Sequence, residues 1–236
     1  MSRRPGGELA TRPLHFIWIL DASGSMSVDG KIQSLNNAIR EAIPHMREVA
    51  DENPNANVLV RVLSFSSGAR WILAEPTPVQ NFEWKDLKPE GVTDMGAALK
   101  ELASVLDIPP MTDRALPPVL VLISDGQPTD DLNEGLNSLM SLPWGRKAVR
   151  VAIGIGEDVD MEVLEQFIAN DEIKPLQANN PEALVRHIQF VSTAVLQVAS
   201  SPYAPAGKEE TKLEFAIPRR SSAALGSENE AASDIW

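Results

Sequence analysis

Apolar and polar positions alternate in blocks along this chain, and the period of the pattern changes from block to block. Residues 14 to 20, LHFIWIL, are continuously apolar with β-branched and aromatic members, the pattern of a central strand buried on both faces. After the loop DASGSMSVDG the period becomes helical. Ile32, Leu35, Ala38, Ile39, Ala42, Ile43 and Met46 line one face of a helix from Lys31 to about Asp51. Pro44 falls inside it and predicts a kink or a split into two helices, because its ring clashes with the carbonyl four residues back. NVLVRVLSF at 57 to 65 reads as a second strand, and ARWIL at 69 to 73 as a third that returns through Ser66-Ser67-Gly68 as an antiparallel edge. A Pro-rich loop then runs to Gly91.

Met95, Ala98, Leu99, Leu102, Val105 and Leu106 predict an amphipathic helix from Asp94 to Leu106. VLVLIS at 119 to 124 is the fourth strand and leads into the loop DGQPTDD. A helix from about Leu132 to Leu142, a strand from Val149 to Ile155 and a short helix near Met161 to Ala169 follow. A weaker strand near Ile173 to Gln177 precedes a last helix from Pro181 to about Val198, with proline at a favourable first position. Strands alternating with helices predict a doubly wound α/β fold, a mostly parallel sheet with one antiparallel edge strand and helices on both faces. In such sheets ligands bind beyond the carboxyl ends of the strands where the strand order reverses. The two richest polar loops here follow strands one and four, and they meet if those strands are neighbours.

Length and composition narrow the picture. A chain of 236 residues holds one domain of about 200 residues, assigned to 13–199. Residues 1–12 read as a loose segment. Residues 200–236, rich in Pro, Ala, Ser, Glu and Lys, read as a low-complexity tail in which LEFAIP, 213–218, is a candidate edge strand or docking peptide. No internal repeat is present. The formal net charge of -12 repels phosphate backbones and anionic lipid, which argues against nucleic acid and membrane surfaces as partners. The same charge attracts divalent cations or basic proteins, or simply keeps the chain dissolved. Without cysteine there are no disulfides, thiolate zinc sites or cysteine nucleophiles, in keeping with a cytoplasmic location. Arg3 and Arg4 precede the apolar run, but that run is too short for a signal peptide and stops at Asp21. No stretch approaches the roughly 20 apolar residues of a membrane span.

The candidate chemistry lies in the polar loops. Asp21, Ser23 and Ser25 follow the first strand directly, with Gly24 letting the backbone fold closely. Such hard oxygen donors suit Mg²⁺ or Mn²⁺, with Ca²⁺ a further option. Alone, the same residues also describe an ordinary turn. Thr93 ends a loop where a helix begins, and Asp125 follows strand four. Each has a structural reading as well, Thr93 as an N-cap and Asp125-Gly126 as a turn pair. At the carboxyl edge of one sheet, all five would converge.

Together DASGSM at 21 to 26, Thr93 in GVTDMGAAL and SDGQPTDD around Asp125 resemble the metal-ion-dependent adhesion site (MIDAS) of von Willebrand factor type A domains. The resemblance covers roughly residues 12 to 198, and all five positions carry the residue types of that family. It implies that Ser23, Ser25 and Thr93 contact the metal directly, while Asp21 and Asp125 act directly or through water. It further implies a site that grips a Glu or Asp of a partner protein, and a last helix that shifts when it does. IWILDASGSM, IQSLNNAI, GVTDMGAAL and LISDGQPTDD are most similar to the bacterial tellurite-resistance type, the TerY-like branch. That branch keeps company with a protein kinase and a PPM-type serine/threonine phosphatase, which implies a cytoplasmic signalling scaffold in a stress response. The alternative within the same fold is an A-domain subunit that works with an AAA+ ATPase in metal insertion or cofactor maturation. An extracellular adhesin is disfavoured.

Other polar residues add less. Asp130 and Asp131 are expected to cap the following helix rather than hold a second metal, and Asp94 to cap its own. His15, His45 and His187 have neither metal spacing nor a nucleophile nearby. Trp18 reads as core, and Trp84 and Trp144 as residues in or near loops, one of them a candidate for a partner surface. In the tail, Arg219-Arg220-Ser221-Ser222 resembles a basophilic kinase site, Trp236 a terminal anchor, and Glu228, Glu230 and Asp234 candidate self-inhibitory carboxylates. Enzymatic readings are weak. A phosphatase of the haloacid dehalogenase type needs a second aspartate two residues after the first, where this chain has Ser23. No Ser-His-Asp set, Gly-Lys phosphate loop or zinc pattern appears, so a metal-dependent hydrolase ranks last and no catalytic residue is assigned.

Overall fold

The apolar blocks assemble into one six-stranded sheet. The computed structural model describes residues 11–53 and 55–199. Its strands are β1 (Arg12–Asp21), β2 (Ala56–Ser66), β3 (Gly68–Pro78), β4 (Val119–Ser124), β5 (Val149–Ile155) and β6 (Leu176–Ala178), in the order β3-β2-β1-β4-β5-β6. Every pairing is parallel except that of β2 with β3, which forms the antiparallel edge. The doubly wound α/β architecture is therefore the one the pattern predicts.

Helices cover both faces. Phe16, Trp18 and Leu20 of β1 pack into a core with α1 (Lys31–Glu52) and α6 (Pro181–Phe190). Ile17 and Ile19 point the other way, into a second core with α2 (Met95–Val105), α3 (Leu132–Ser141) and α5 (Met161–Ile168). Burial on both faces is why β1 reads as a continuous apolar run. α6 continues through a π turn, Val191–Val195, into α7 (Leu196–Ala199). In that turn Ser192 Oγ donates to the Ile188 carbonyl at 2.6 Å and Thr193 Oγ1 to that of Gln189 at 2.8 Å, hydroxyls that compete with the helix ladder.

Four expectations need correction. α1 is one helix of 22 residues with Pro44 inside it, so of the kink or split that Pro44 predicts, the split does not occur. Pro44 is exposed, while Ile39, Ala42, Ile43 and Met46 are buried on both sides of it, so packing against the sheet holds the axis together. β3 runs to Pro78 instead of ending at 73, with register shifts opposite Val60, Val62 and Leu63. Prolines are tolerated there because the strand is an edge. Arg12 belongs to β1 rather than to a loose leader, and its guanidinium donates to the carbonyls of Arg114 and Ala115. Trp144 is buried in a short helix, α4 (Pro143–Lys147), and offers nothing to a partner, whereas Trp84 is half-buried. The readings on residues 1–10 and 200–236, including 213–218, Ser221, Ser222, Glu228, Glu230, Asp234 and Trp236, lie outside the described residues. Among the described residues no helix is long and apolar enough to cross a membrane.

His15 provides a pH test of the core. Burial, helped by the Arg61 charge, holds its imidazole down to about 4 from 6.5. The folded chain thus binds fewer protons than the unfolded chain between those values, and stability is lost as pH falls through that window. His15 Nδ1 has no hydrogen-bond partner, so an apolar replacement strands nothing opposite that atom. His15→Leu is expected to gain on the parent protein in urea midpoint as pH drops from about 6.5 to about 4. A constant gap between the two across that range would refute the assignment.

Candidate metal centre

The site begins with the pairing of β1 and β4. Leu20 lies opposite Ile123 in parallel register, so Asp21 and Ser124 follow side by side at the carboxyl ends of their strands. The chain leaves toward β2 on one side and β5 on the other, so the strand order reverses here and opens a crevice. Asp21 is fully buried. Its Oδ1 accepts from the Ser23 N–H at 2.8 Å and its Oδ2 from Ser124 Oγ at 2.5 Å. Ser23 Oγ and Ser25 Oγ are 2.9 Å apart, the first buried and the second exposed, so the hydroxyls lead from the interior to the surface.

Hydrogen bonds stitch the neighbouring loops onto this one. The Gly24 N–H donates to the Gly91 carbonyl at 3.0 Å, and a Cβ on Gly24 would sit 3.1 Å from that same oxygen. Glu90 N–H donates to the Ala22 carbonyl at 2.8 Å. At the other end of the 90–93 loop, Thr129 Oγ1 accepts from the Thr93 N–H at 3.0 Å, and the Thr93 carbonyl accepts from the Thr129 N–H at 2.8 Å. Thr93 is held, buried, between the β1 and β4 loops.

The helix caps differ from expectation. Asp94 is the N-cap residue of α2 but its side chain bonds no α2 N–H; it accepts from Gly68 N–H at 2.7 Å and Thr129 Oγ1 at 3.1 Å. Asp130 caps α2 from across the site, accepting from Gly96 and Ala97 N–H at 2.8 and 2.7 Å. Asp131 alone caps the following helix, α3, through Glu134 N–H. Thr93 is not the cap either, which leaves its hydroxyl outside the helix-capping scheme.

Asp125 is almost fully buried and unevenly satisfied. Its Oδ2 lies 3.9 Å from Lys31 Nζ, while its Oδ1 is buried without a hydrogen-bond partner. An orphaned carboxylate oxygen is costly unless something else completes it. Burial raises the Asp21 carboxyl from 3.8 to about 6, against the opposing hydrogen bonds from Ser124 and Ser23; the Asp125 charge pushes the same way as burial. Among the described residues no three His, Cys, Asp or Glu side chains gather as a metal cluster. The donors on offer are hydroxyl and carboxylate oxygens, a set that fits a hard divalent cation rather than a soft one.

Sequence reasoning singled out neither Ser124, whose hydroxyl fixes Asp21, nor Lys31. The signal for Ser124 is that it is the one polar residue in VLVLIS.

Residues 16–127 match the family model for the von Willebrand factor type A domain. Solved structures share the fold. A von Willebrand factor type A protein from Catenulispora acidiphila aligns with a TM-score of 0.59 at 18% identity, covering 80% of this chain and 43% of that one. Proximal thread matrix protein 1 from the mussel byssus, in a structure with a zinc-occupied MIDAS motif, aligns at 0.59 and 18% identity, covering 79% and 48%. The ArnB paralog VWA2 from Sulfolobus acidocaldarius aligns at 0.56 and 18% identity, covering 75% and 44%. This chain thus spans less than half the length of each of these three. No curated protein matches the sequence. The family model over 16–127 and the shared fold together support a von Willebrand factor type A domain in this chain.

Proposed function

We propose that the chain is a non-catalytic module that binds a partner protein through a divalent cation held by Asp21, Ser23, Ser25, Thr93 and Asp125. The observation that carries this reading is the buried Asp125 Oδ1 without a partner, beside the hydrogen-bonded Asp21, Ser23 and Ser25. Ser23, Ser25 and Thr93 would contact the ion directly, and Asp21 and Asp125 directly or through water. A bound Mg²⁺, or Mn²⁺ or Ca²⁺ in its place, supplies positive charge and an exchangeable coordination position for a Glu or Asp of the partner. Neutral hydroxyls near the surface leave that charge largely unneutralised on the outer side. Zinc in the MIDAS motif of the mussel protein supports a divalent cation at such a motif.

A protein ligand also fits the rim. Val28 and Val92 are about half exposed and lie on the loops that carry Ser25 and Thr93, offering apolar contacts beside the ion. Residues 12–199 form the module in this reading, one residue longer at its start than the hydrophobic pattern predicts. We place it in the cytoplasm as a scaffold of the tellurite-resistance type, joining a protein kinase and a PPM-type phosphatase in a stress response.

The test is an affinity capture from the native cells with the parent chain and Ser23→Ala/Ser25→Ala, each with Mg²⁺ and with EDTA, read by mass spectrometry. A kinase or phosphatase held only by the metal-loaded parent is the expected result. Identical partners in all four conditions would show that the metal site is not the grip.

A further inference from the structure

Lys31 is out of place by local rules. It is the first residue of α1, a helix that starts from a left-handed Gly30 with no side-chain cap and no acidic residue in its first turn. A cation there opposes the positive end of the helix dipole. Its side chain is nonetheless only 13% exposed, and lysine is seldom buried without an anion. The stem crosses Gly156 so closely that a Cβ on that glycine would sit 3.2 Å from both Cε and Nζ. Its ammonium reaches Asp125 Oδ2 at 3.9 Å, leaving Oδ1, the oxygen without a partner, as the open side of the carboxylate. A residue that breaks a local preference and is packed into place points to a role supplied by tertiary structure.

We propose that Lys31 competes with the divalent cation for Asp125 and so sets the metal affinity of the site; the inference rests on the metal-dependent reading above. Without an ion, the ammonium neutralises one of two buried carboxylates that otherwise repel each other across the site. With an ion bound, Lys31 remains beside Asp125 and leaves the centre with one positive charge in excess, where Asp21 and Asp125 alone would cancel it. Lys31 thus weakens the hold on the ion and strengthens the attraction for an acidic group from outside.

The experiment is a Mn²⁺ titration of the full chain by electron paramagnetic resonance at one fixed pH, with melting curves without metal to confirm folding. Lys31→Met keeps the stem and removes the charge, Lys31→Gln does the same with a polar end, and Lys31→Arg keeps the charge. The folded neutral variants are expected to bind Mn²⁺ about tenfold more tightly than the parent, the effect of removing one like charge several ångströms from the ion, with Lys31→Arg near the parent. Equal or weaker binding by a folded neutral variant, beside a parent that binds, overturns the role of Lys31 alone. A folded parent that binds no Mn²⁺ overturns the metal-dependent reading itself, and the role of Lys31 with it.

Discussion

Asp21→Asn will melt at a higher temperature than the parent chain in metal-free buffer at neutral pH, and Mg²⁺ will no longer raise it. Asp21 has no exposure, and burial lifts its carboxyl from 3.8 to about 6. Two units correspond to at most about 3 kcal/mol against the ionised fold. An asparagine keeps the shape and the oxygen that accepts from Ser23 N–H, while the Ser124 hydroxyl can turn to accept from the amide. A gain of about 1–3 kcal/mol corresponds to roughly 2–4 °C per kcal/mol for a chain of this size.

The pH dependence identifies the cause. A carboxyl with a raised folded value keeps its proton in the native state after the unfolded chain has lost it, so its contribution is full below about 3.8 and is lost as pH rises through about 6. The advantage of Asn should therefore shrink as pH falls from about 6 and vanish only below about 3.8, where Asp21 is protonated in both states. The lost response is equally measurable. Mg²⁺ at a hundred times its dissociation constant adds about 2.7 kcal/mol to a chain that binds it only when folded. A variant no more stable than the parent at neutral pH, or one that still responds to Mg²⁺, would contradict this account of Asp21.

Gly96→Ala should destabilise the fold and weaken the metal centre together. In an ordinary helix the same change gains about 0.5–1 kcal/mol, because glycine loses more backbone freedom on folding. Here a Cβ would lie 2.3 Å from the Asp131 carbonyl oxygen, 2.8 Å from its carbon and 3.0 Å from Asp130 Oδ2. The crowding is reciprocal, since a Cβ on Gly135 of α3 would meet the Gly96 oxygen at 2.6 Å. Backbone cannot step aside as a side chain can, so we expect a net loss of about 1–3 kcal/mol. Asp130 also accepts from the Gly96 N–H, and Thr129, one residue earlier, pairs with Thr93. Pushing α3 away from α2 therefore strains the loop that presents Thr93, and Mn²⁺ affinity should fall with the melting temperature. An unchanged or higher melting point would show that the helices separate without strain.

β4 and β5 illustrate what was legible. The hydrophobic pattern places β4 at 119–124 and β5 at 149–155, and both have those bounds, because strands buried on two faces read as short, mostly apolar runs. β3 extends past its apolar pattern for the opposite reason: its residues are half-buried or exposed, and its register shifts break the alternation. α4 has five residues and shows no period. β6, expected near Ile173, begins at Leu176 because only three residues pair with β5. In the site, the loops that carry Asp21, Ser23, Ser25, Thr93 and Asp125 were legible as polar breaks at the ends of apolar blocks. The bond from Ser124 to Asp21 was not, since it depends on two strands about a hundred residues apart lying side by side. Neither was the reach of Asp130 back to α2, or of Lys31 to Asp125.

By itself the sequence determined the kinds and approximate bounds of most elements and the hard-oxygen chemistry of the two richest loops, because periodicity and donor type are local properties of neighbouring residues. Tertiary structure alone decided the strand order, the continuity of α1 past Pro44, and the unequal environments of the two Asp125 oxygens. Those depend on contacts between segments distant in the chain, where packing and desolvation outweigh any local preference.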